Sequence, residues 1–197
     1  STVGMQWNES QLTDWNQGLG DRVDYEFSVV QKALFAENEW SVTDSFALTT
    51  GLRLDHHEEY GAHLSPRLYG VWRATDQWTF KGGIARGFKA PEIRAVVADY
   101  AYLRRNRFVM FGNPDLKPET STNYEVSALW SNRDDLSAGV TLFYNDFQDK
   151  LSTVTTDQRW NGYTLMQRAN GDKAISQGVE LNGQWEINPS ALPTGNH

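Results

Sequence analysis

The chain has 197 residues, 18 Lys and Arg against 25 Asp and Glu, a net charge of −7 and no cysteine. That balance weighs against general nucleic-acid binding, and the missing thiols exclude disulfides, thiolate metal sites and cysteine nucleophiles. No stretch approaches the roughly 18 apolar residues of a membrane helix, and the opening STVGMQWNES has neither the basic nor the apolar region of a signal peptide.

Taken in order, the segments alternate with period two. FALTTGLRL puts Phe46, Leu48, Thr50, Leu52 and Leu54 on one face, with Arg53 and Asp55 on the other. WTFKGGI separates Trp78, Phe80 and Ile84 from Lys81. NYEVSALW separates Tyr124, Val126, Ala128 and Trp130 from Glu125, and GVELNGQW separates Val179, Leu181 and Trp185 from Glu180 and Gln184. The pattern predicts about eight strands, over roughly 1–15, 27–40, 46–60, 63–73, 78–90, 121–130, 136–154 and 164–187. Several exceed the usual length of about 5–6 residues in soluble domains and reach the roughly 9–11 needed to cross a bilayer. Helix is expected only as one short turn within PEIRAVVADYAYLRR.

The connections are of two kinds. SVTDS at 41–45, RATDQ at 73–77, SNRDD at 131–135 and NPS at 188–190 read as tight polar turns. The links at the opposite strand ends are long, about 91–120 and 155–163, with a shorter one at 61–62. Short turns on one rim and long loops on the other are the pattern of an outer-membrane barrel. Trp40, Trp72, Trp130 and Trp185 close strands just before short turns, and Trp78 follows one. Such a row suits a membrane–water interface, where the ring is apolar and its N–H keeps a polar partner. A soluble sandwich with scattered core tryptophans does not explain that placement. Arg53, Arg67, Lys81, Glu125, Glu180 and Gln184 would be costly against lipid and acceptable against a hydrated lumen. The fold class is therefore all-β, an antiparallel up-and-down transmembrane barrel segment.

DHHEEYGAH at 55–63 raises a second possibility, a metal site. A strand divides the cluster, setting Asp55, His57 and Glu59 on one face and His56, Glu58 and Tyr60 on the other, with alternate residues about 6.6 Å apart. A His57–His63 pair across a hairpin is possible, but a third converging ligand is not evident, so no metal is expected.

Three stretches carry a more specific signal: ARGFKAP at 85–91, GNPDLKPETSTNYE at 112–125, and LFAENEW at 34–40 with GLRLDHH and SPRL between 51 and 68. Together, over about residues 27–187, they resemble the TonB-dependent outer-membrane receptors, and within them the ferric-catecholate (enterobactin-type) receptors and the related colicin I receptor. The resemblance implies a plug domain that contacts TonB and a barrel of about 22 strands, of which residues 1–197 form a partial barrel domain without the plug or the C-terminal strands. It implies active import of a ferric siderophore, with no cofactor and no catalysis. The partners it implies are the siderophore, the TonB complex acting through the plug, outer-membrane lipid and lipopolysaccharide, and colicins or phage. A passive porin or adhesin barrel and an outer-membrane enzyme stay open as alternatives. For the enzyme, Glu125, Glu180 and His57 would have to converge.

Gly112, Asn113 and Pro114 favour a turn, and GNPDLKPET reads as a clamp on a long loop. Within that loop, EIRAVVADYAYLRRNRFVMF at 92–111 concentrates cations and rings in an acidic chain. Ferric tris-catecholates are anionic and aromatic, and Arg suits them through charge, hydrogen bonding and stacking. Tyr100, Tyr102, Arg104, Arg105 and Arg107 are the expected ligand-binding residues. The competing use of these arginines is contact with lipopolysaccharide phosphates or neighbouring carboxylates.

Overall fold

A computed structural model of the chain describes residues 1–15, 24–98, 100–105 and 107–186. Eight long strands form one antiparallel sheet: β1 (Thr2–Trp15), β2 (Asp24–Ser41), β3 (Phe46–His57), β4 (Gly61–Arg73), β5 (Trp78–Lys89), β8 (Glu119–Ser131), β9 (Leu136–Gln148) and β12 (Lys173–Trp185). Neighbours pair in that order, with β1 and β12 at the two edges. A second sheet of four short strands sits among the long connections. It comprises β6 (Ala101–Arg104), β7 (Phe108–Phe111), β10 (Leu151–Trp160) and β11 (Tyr163–Asn170), in the order β10-β11-β7-β6. The short helical turn α1 spans Ile93–Val96.

The large sheet has two chemically distinct faces, because partners across a ladder share a side. One row runs Leu48, Gly70, Gly82, Val126, Leu142, Val179, and another Phe46, Trp72, Phe80, Ala128, Val140, Leu181. Val126, Leu142, Val179 and Leu181 are 59%, 52%, 62% and 80% exposed, which is costly in water and favourable in lipid. The opposite face carries Glu37, Arg67, Lys81, Glu125 and Glu180 in the intervening rows. Trp40, Trp72, Trp78, Trp130 and Trp185 all stand on the apolar face beside the short turns, and the Trp185 indole N–H donates to Asp135 Oδ2 (3.0 Å). Trp7 marks the far boundary, with the Lys32 ammonium 4.5 Å from its ring. From Trp40 to Lys32, the cross-strand partner of Trp7, is eight residues, or about 27 Å along the strand, which at a barrel strand's tilt of about 35–45° spans roughly 19–22 Å along the normal, most of an outer-membrane apolar band about 25 Å tall.

The tight turns share one device: a side-chain oxygen takes the backbone N–H groups that reopen the next strand. Thr43 Oγ1 accepts from Ser45 and Phe46, Thr75 Oγ1 from Gln77 and Trp78, and Asn132 Oδ1 from Asp134, Asp135 and Leu136. The turn expected at 188–190 lies outside the described residues.

Four expectations are corrected. The strand expected over 136–154 is broken at Asp149, which adopts φ 52°, and the one over 164–187 is broken at Gly171–Asp172. Both breaks fall in polar runs, NDFQDK at 145–150 and QRANGDK at 167–173, where no apolar period marks one strand's end from the next one's start. The link expected over 155–163 is a β-hairpin instead, closed by Asn161 and Gly162 at φ 46° and 84°, the geometry that favours Asn-Gly. Finally, the β3–β4 link falls at Glu58–Tyr60 rather than 61–62, where Gly61 at φ 70° opens β4.

Candidate functional site at the loop rim

The loop between β5 and β8 folds back over the polar face of β1–β3. Tyr100 is 2% exposed, and its hydroxyl donates to Asp14 Oδ2 on β1 (2.5 Å). Beneath the loop lies a polar network: Arg53 makes a bidentate pair with the buried Asp55 (2.9 Å each) and donates to Gln6 Oε1 (3.0 Å), while Gln31 Nε2 also donates to Asp55 (3.0 Å). Every polar atom of Asp55 that burial takes from water is thereby matched, which a buried carboxylate requires.

GNPDLKPET acts as the clamp its composition suggests. The Gly112 N–H donates to Tyr100 O (2.9 Å) and the Asn113 N–H to Ala95 O (2.6 Å). Asn113 Oδ1 accepts from the Asp115 N–H, and its Nδ2 donates across to Arg168 O on β11. Asn170 ties the bases of the two long loops: its Oδ1 accepts from the Lys117 N–H (2.8 Å), and its Nδ2 donates to Lys117 O and Asp149 O. Glu119 Oε1 accepts the Leu151 N–H (2.7 Å) where β8 begins.

The loops also share backbone. β7 pairs in parallel with β11, Phe108 with Thr164 through Phe111 with Gln167. Val109 is fully buried and packs with Ala101 and Leu165, flanked by Leu103, Phe111, Trp160 and Tyr163. One small core therefore binds two loops into one unit.

The five expected ligand residues fall into two groups. Tyr100 is enclosed and holds the loop to the wall, and the half-buried Tyr102 ring lies 5.8 Å from it. Arg104, Arg105 and Arg107 are exposed at the β6–β7 turn, with Arg105 at φ 54° and the Arg107 guanidinium 5.6 Å from the Phe108 ring. Among the described residues none of the three is ion-paired. Sequence reasoning missed Asp14, Asn170 and the β10–β11 hairpin. The Asn-Gly at 161–162 signals the hairpin, whereas nothing local marks the other two.

His57 and His63 are each engaged in local contacts. His57 Nδ1 accepts the Glu59 N–H, and His63 stacks on Phe88 at 3.9 Å and bonds Tyr60 O. No group of three metal-ligating side chains occurs among the described residues. Glu125 and Glu180 line one cavity of about 520 Å3 on the polar face, with Arg67, Tyr69 and Asn145. His57 lines a different one, so the three do not converge.

Burial, then the hydrogen bond to Asp14 and its negative charge, push the Tyr100 hydroxyl from 10.0 to about 12. A raised value means that the neutral phenol is the folded form. The anchor is therefore complete below about pH 10 and is lost as pH rises through about 12. An absorbance titration of full-length receptor against its Tyr100→Phe variant is expected to assign one late phenolate to this residue. A difference spectrum centred near 10 would contradict the anchor.

An open sheet with one lipid-exposed face, a tryptophan row beside tight turns and a built-up loop rim is a segment of an outer-membrane β-barrel wall. The family model described as TonB dependent receptor-like, beta-barrel, matches residues 1–194, and the chain belongs to the TonB-dependent receptors. It is 39% identical over 189 residues to the iron-regulated outer membrane virulence protein of Vibrio cholerae, covering 86% of this chain and 29% of that protein. It is 34% identical to the ferrienterobactin receptor of Escherichia coli, covering 99% of this chain and 30% of that one. The crystal structure of the siderophore receptor PirA from Pseudomonas aeruginosa superposes with a TM-score of 0.81 at 32% identity, over 91% of this chain and 35% of the other. The chain thus spans about three-tenths of the length of the curated relatives it matches.

Proposed function

We propose that this chain supplies wall and mouth loops to an outer-membrane transporter that binds a ferric siderophore of the catecholate class and imports it with energy delivered through TonB. The observation that carries the reading is the set of exposed, unpaired arginines beside aromatic rings at the mouth of a barrel whose relatives include a ferrienterobactin receptor. A mutant of the Pseudomonas aeruginosa ferric enterobactin receptor, similar to this chain at TM-score 0.75, has been solved in complex with enterobactin.

In this reading Arg104, Arg105 and Arg107 meet the anionic chelate, Tyr102 supplies a ring, and Tyr100 positions the loop that carries them. The edges of β1 and β12 hydrogen-bond to further barrel strands, since open edges are not tolerated in a bilayer. TonB acts through a plug domain outside residues 1–197. The outward face meets lipid and lipopolysaccharide, and the rim loops are where colicins or phage attach. The chain does no covalent chemistry; binding and gated release are sufficient for transport.

The test is uptake of iron-55 as ferric enterobactin by cells carrying the full-length receptor, with and without TonB. Uptake is expected to require TonB and to fall in the triple variant R104A/R105A/R107A, whose affinity drops by tenfold or more if one charge-assisted contact is lost, at about 1.5–3 kcal/mol each. Uptake that persists without TonB would make the barrel a passive pore, and unchanged affinity in the triple variant would remove the arginines from the site.

A further inference from the structure

The small sheet places a residue of the second loop in line with the first. Arg104 on β6 pairs with Phe108 on β7, Phe108 with Thr164 on β11, and Thr164 with Arg159 on β10. These four are consecutive partners across four strands, and partners share a face. The row therefore presents an arginine at each end and an aromatic ring between them. Its length is three strand spacings, about 14 Å at about 4.8 Å each. Arg104 and Arg159 are exposed, and Phe108 and Thr164 are half-buried. The Arg107 guanidinium, over the Phe108 ring, adds a third cation to the row. Among the described residues Arg159 has no ion pair.

The other face of the same sheet is spent on packing. Val109 and Leu165 are buried, with Leu103, Phe111, Trp160 and Tyr163 against them. That core holds the two arginine-bearing strands at a fixed spacing, so the charges at the row's ends are preorganised rather than brought together by the ligand. In an acidic chain, a fixed row of cations around a ring matches an anion that is wide, multivalent and aromatic. A single phosphate is too small to meet both ends at once.

We propose that Arg159, from the β10–β11 hairpin, is a binding residue for the anionic ferric chelate, which is held across both loops on the Arg104–Phe108–Thr164–Arg159 row. This rests on the siderophore-receptor reading above and names a further residue of that site. Phe108 offers its ring to a catecholate, and the two terminal arginines meet its charge from opposite sides.

Titration of full-length receptor with ferric enterobactin, followed by tryptophan fluorescence, tests it. R159A is expected to weaken binding by about tenfold, the range of one charge-assisted hydrogen bond, and to flatten the dependence of affinity on salt. R159K, which keeps the charge without the planar fork, is expected to lose less. R159Q, similar in length and exposed, serves as a second neutral variant, with a heat-shift gel verifying a folded barrel. If R159A and R159Q bind within twofold of the parent while R104A/R105A/R107A is weakened, capture belongs to one loop and this proposal is overturned, with the transport reading intact. If neither set weakens binding, the arginine site itself falls and this proposal falls with it.

Discussion

Replacing Val126 with Arg in the full-length receptor is expected to lower barrel stability by about 2–4 kcal/mol, the cost of a cation facing lipid near the bilayer midplane. Val126 lies midway along β8 between Thr122 and Trp130 and is 59% exposed on the apolar face. Its row partners Leu142 and Val179 are exposed as well, so the arginine would have only lipid around it. Three positions away on the same strand, Asn123 pairs with Ala85 and Asn145 on the polar face and lines the lumenal cavity. Asn123→Arg is expected to cost less than half as much, because water or polar groups meet the new charge. Urea unfolding in detergent or liposomes, read on unboiled gels, measures both. Equal costs would mean that the two faces do not see different solvents.

Replacing Gly112 with Ala is expected to dislodge the first loop while leaving the wall standing. A Cβ at this position would lie 1.8 Å from Val97 O and 2.7 Å from its carbonyl carbon, backbone atoms that cannot rotate aside. The chain passes this closely because Gly112 and Asn113 donate to Tyr100 O and Ala95 O, closing the loop on itself. Overpacking of this kind costs roughly 1–3 kcal/mol or more. Release of the segment frees Tyr100 from Asp14 and disturbs the β6–β7 turn that carries Arg104, Arg105 and Arg107. Ferric enterobactin affinity should fall at least tenfold, and residues 91–112 should become open to proteolysis. The boiled and unboiled gel mobilities should still differ as in the parent. Unchanged affinity and an unchanged cleavage pattern would contradict the close approach.

The wall was legible because each strand repeats one chemical rule. Leu52 and Leu54 must meet lipid, while Arg53 and Asp55 cannot, and the same alternation recurs within strands that are 12–18 residues long in the sheet's first half. The tight turns were legible from Thr43, Thr75 and Asn132, whose side chains replace missing backbone partners. The rim was not legible. β6 and β7 have four residues each, too few for a period to emerge. The contact that organises the rim joins 108–111 to 164–167, segments more than 50 residues apart, and no local pattern announces it. Tyr100 illustrates the same limit. By composition it belongs with Tyr102 and the arginines, whereas its burial and its bond to Asp14, 86 residues away, assign it to the scaffold. Asn170 reads as an ordinary turn residue until its three bonds to Lys117 and Asp149 are seen.

β1–β5, β8, β9 and β12 form a membrane-spanning wall with lipid on one side. The 197 residues contain no cysteine; with any thiol elsewhere in the full-length receptor replaced by Ser, single cysteines can be placed along β8 from Thr122 to Ser131 and spin-labelled in outer-membrane vesicles. Collision with oxygen, which partitions into lipid, is predicted to peak at 124, 126 and 128, and collision with a water-soluble nickel chelate at 123, 125 and 127. Accessibility that varies smoothly along the strand, with no period of two, would contradict the wall and with it the transport reading.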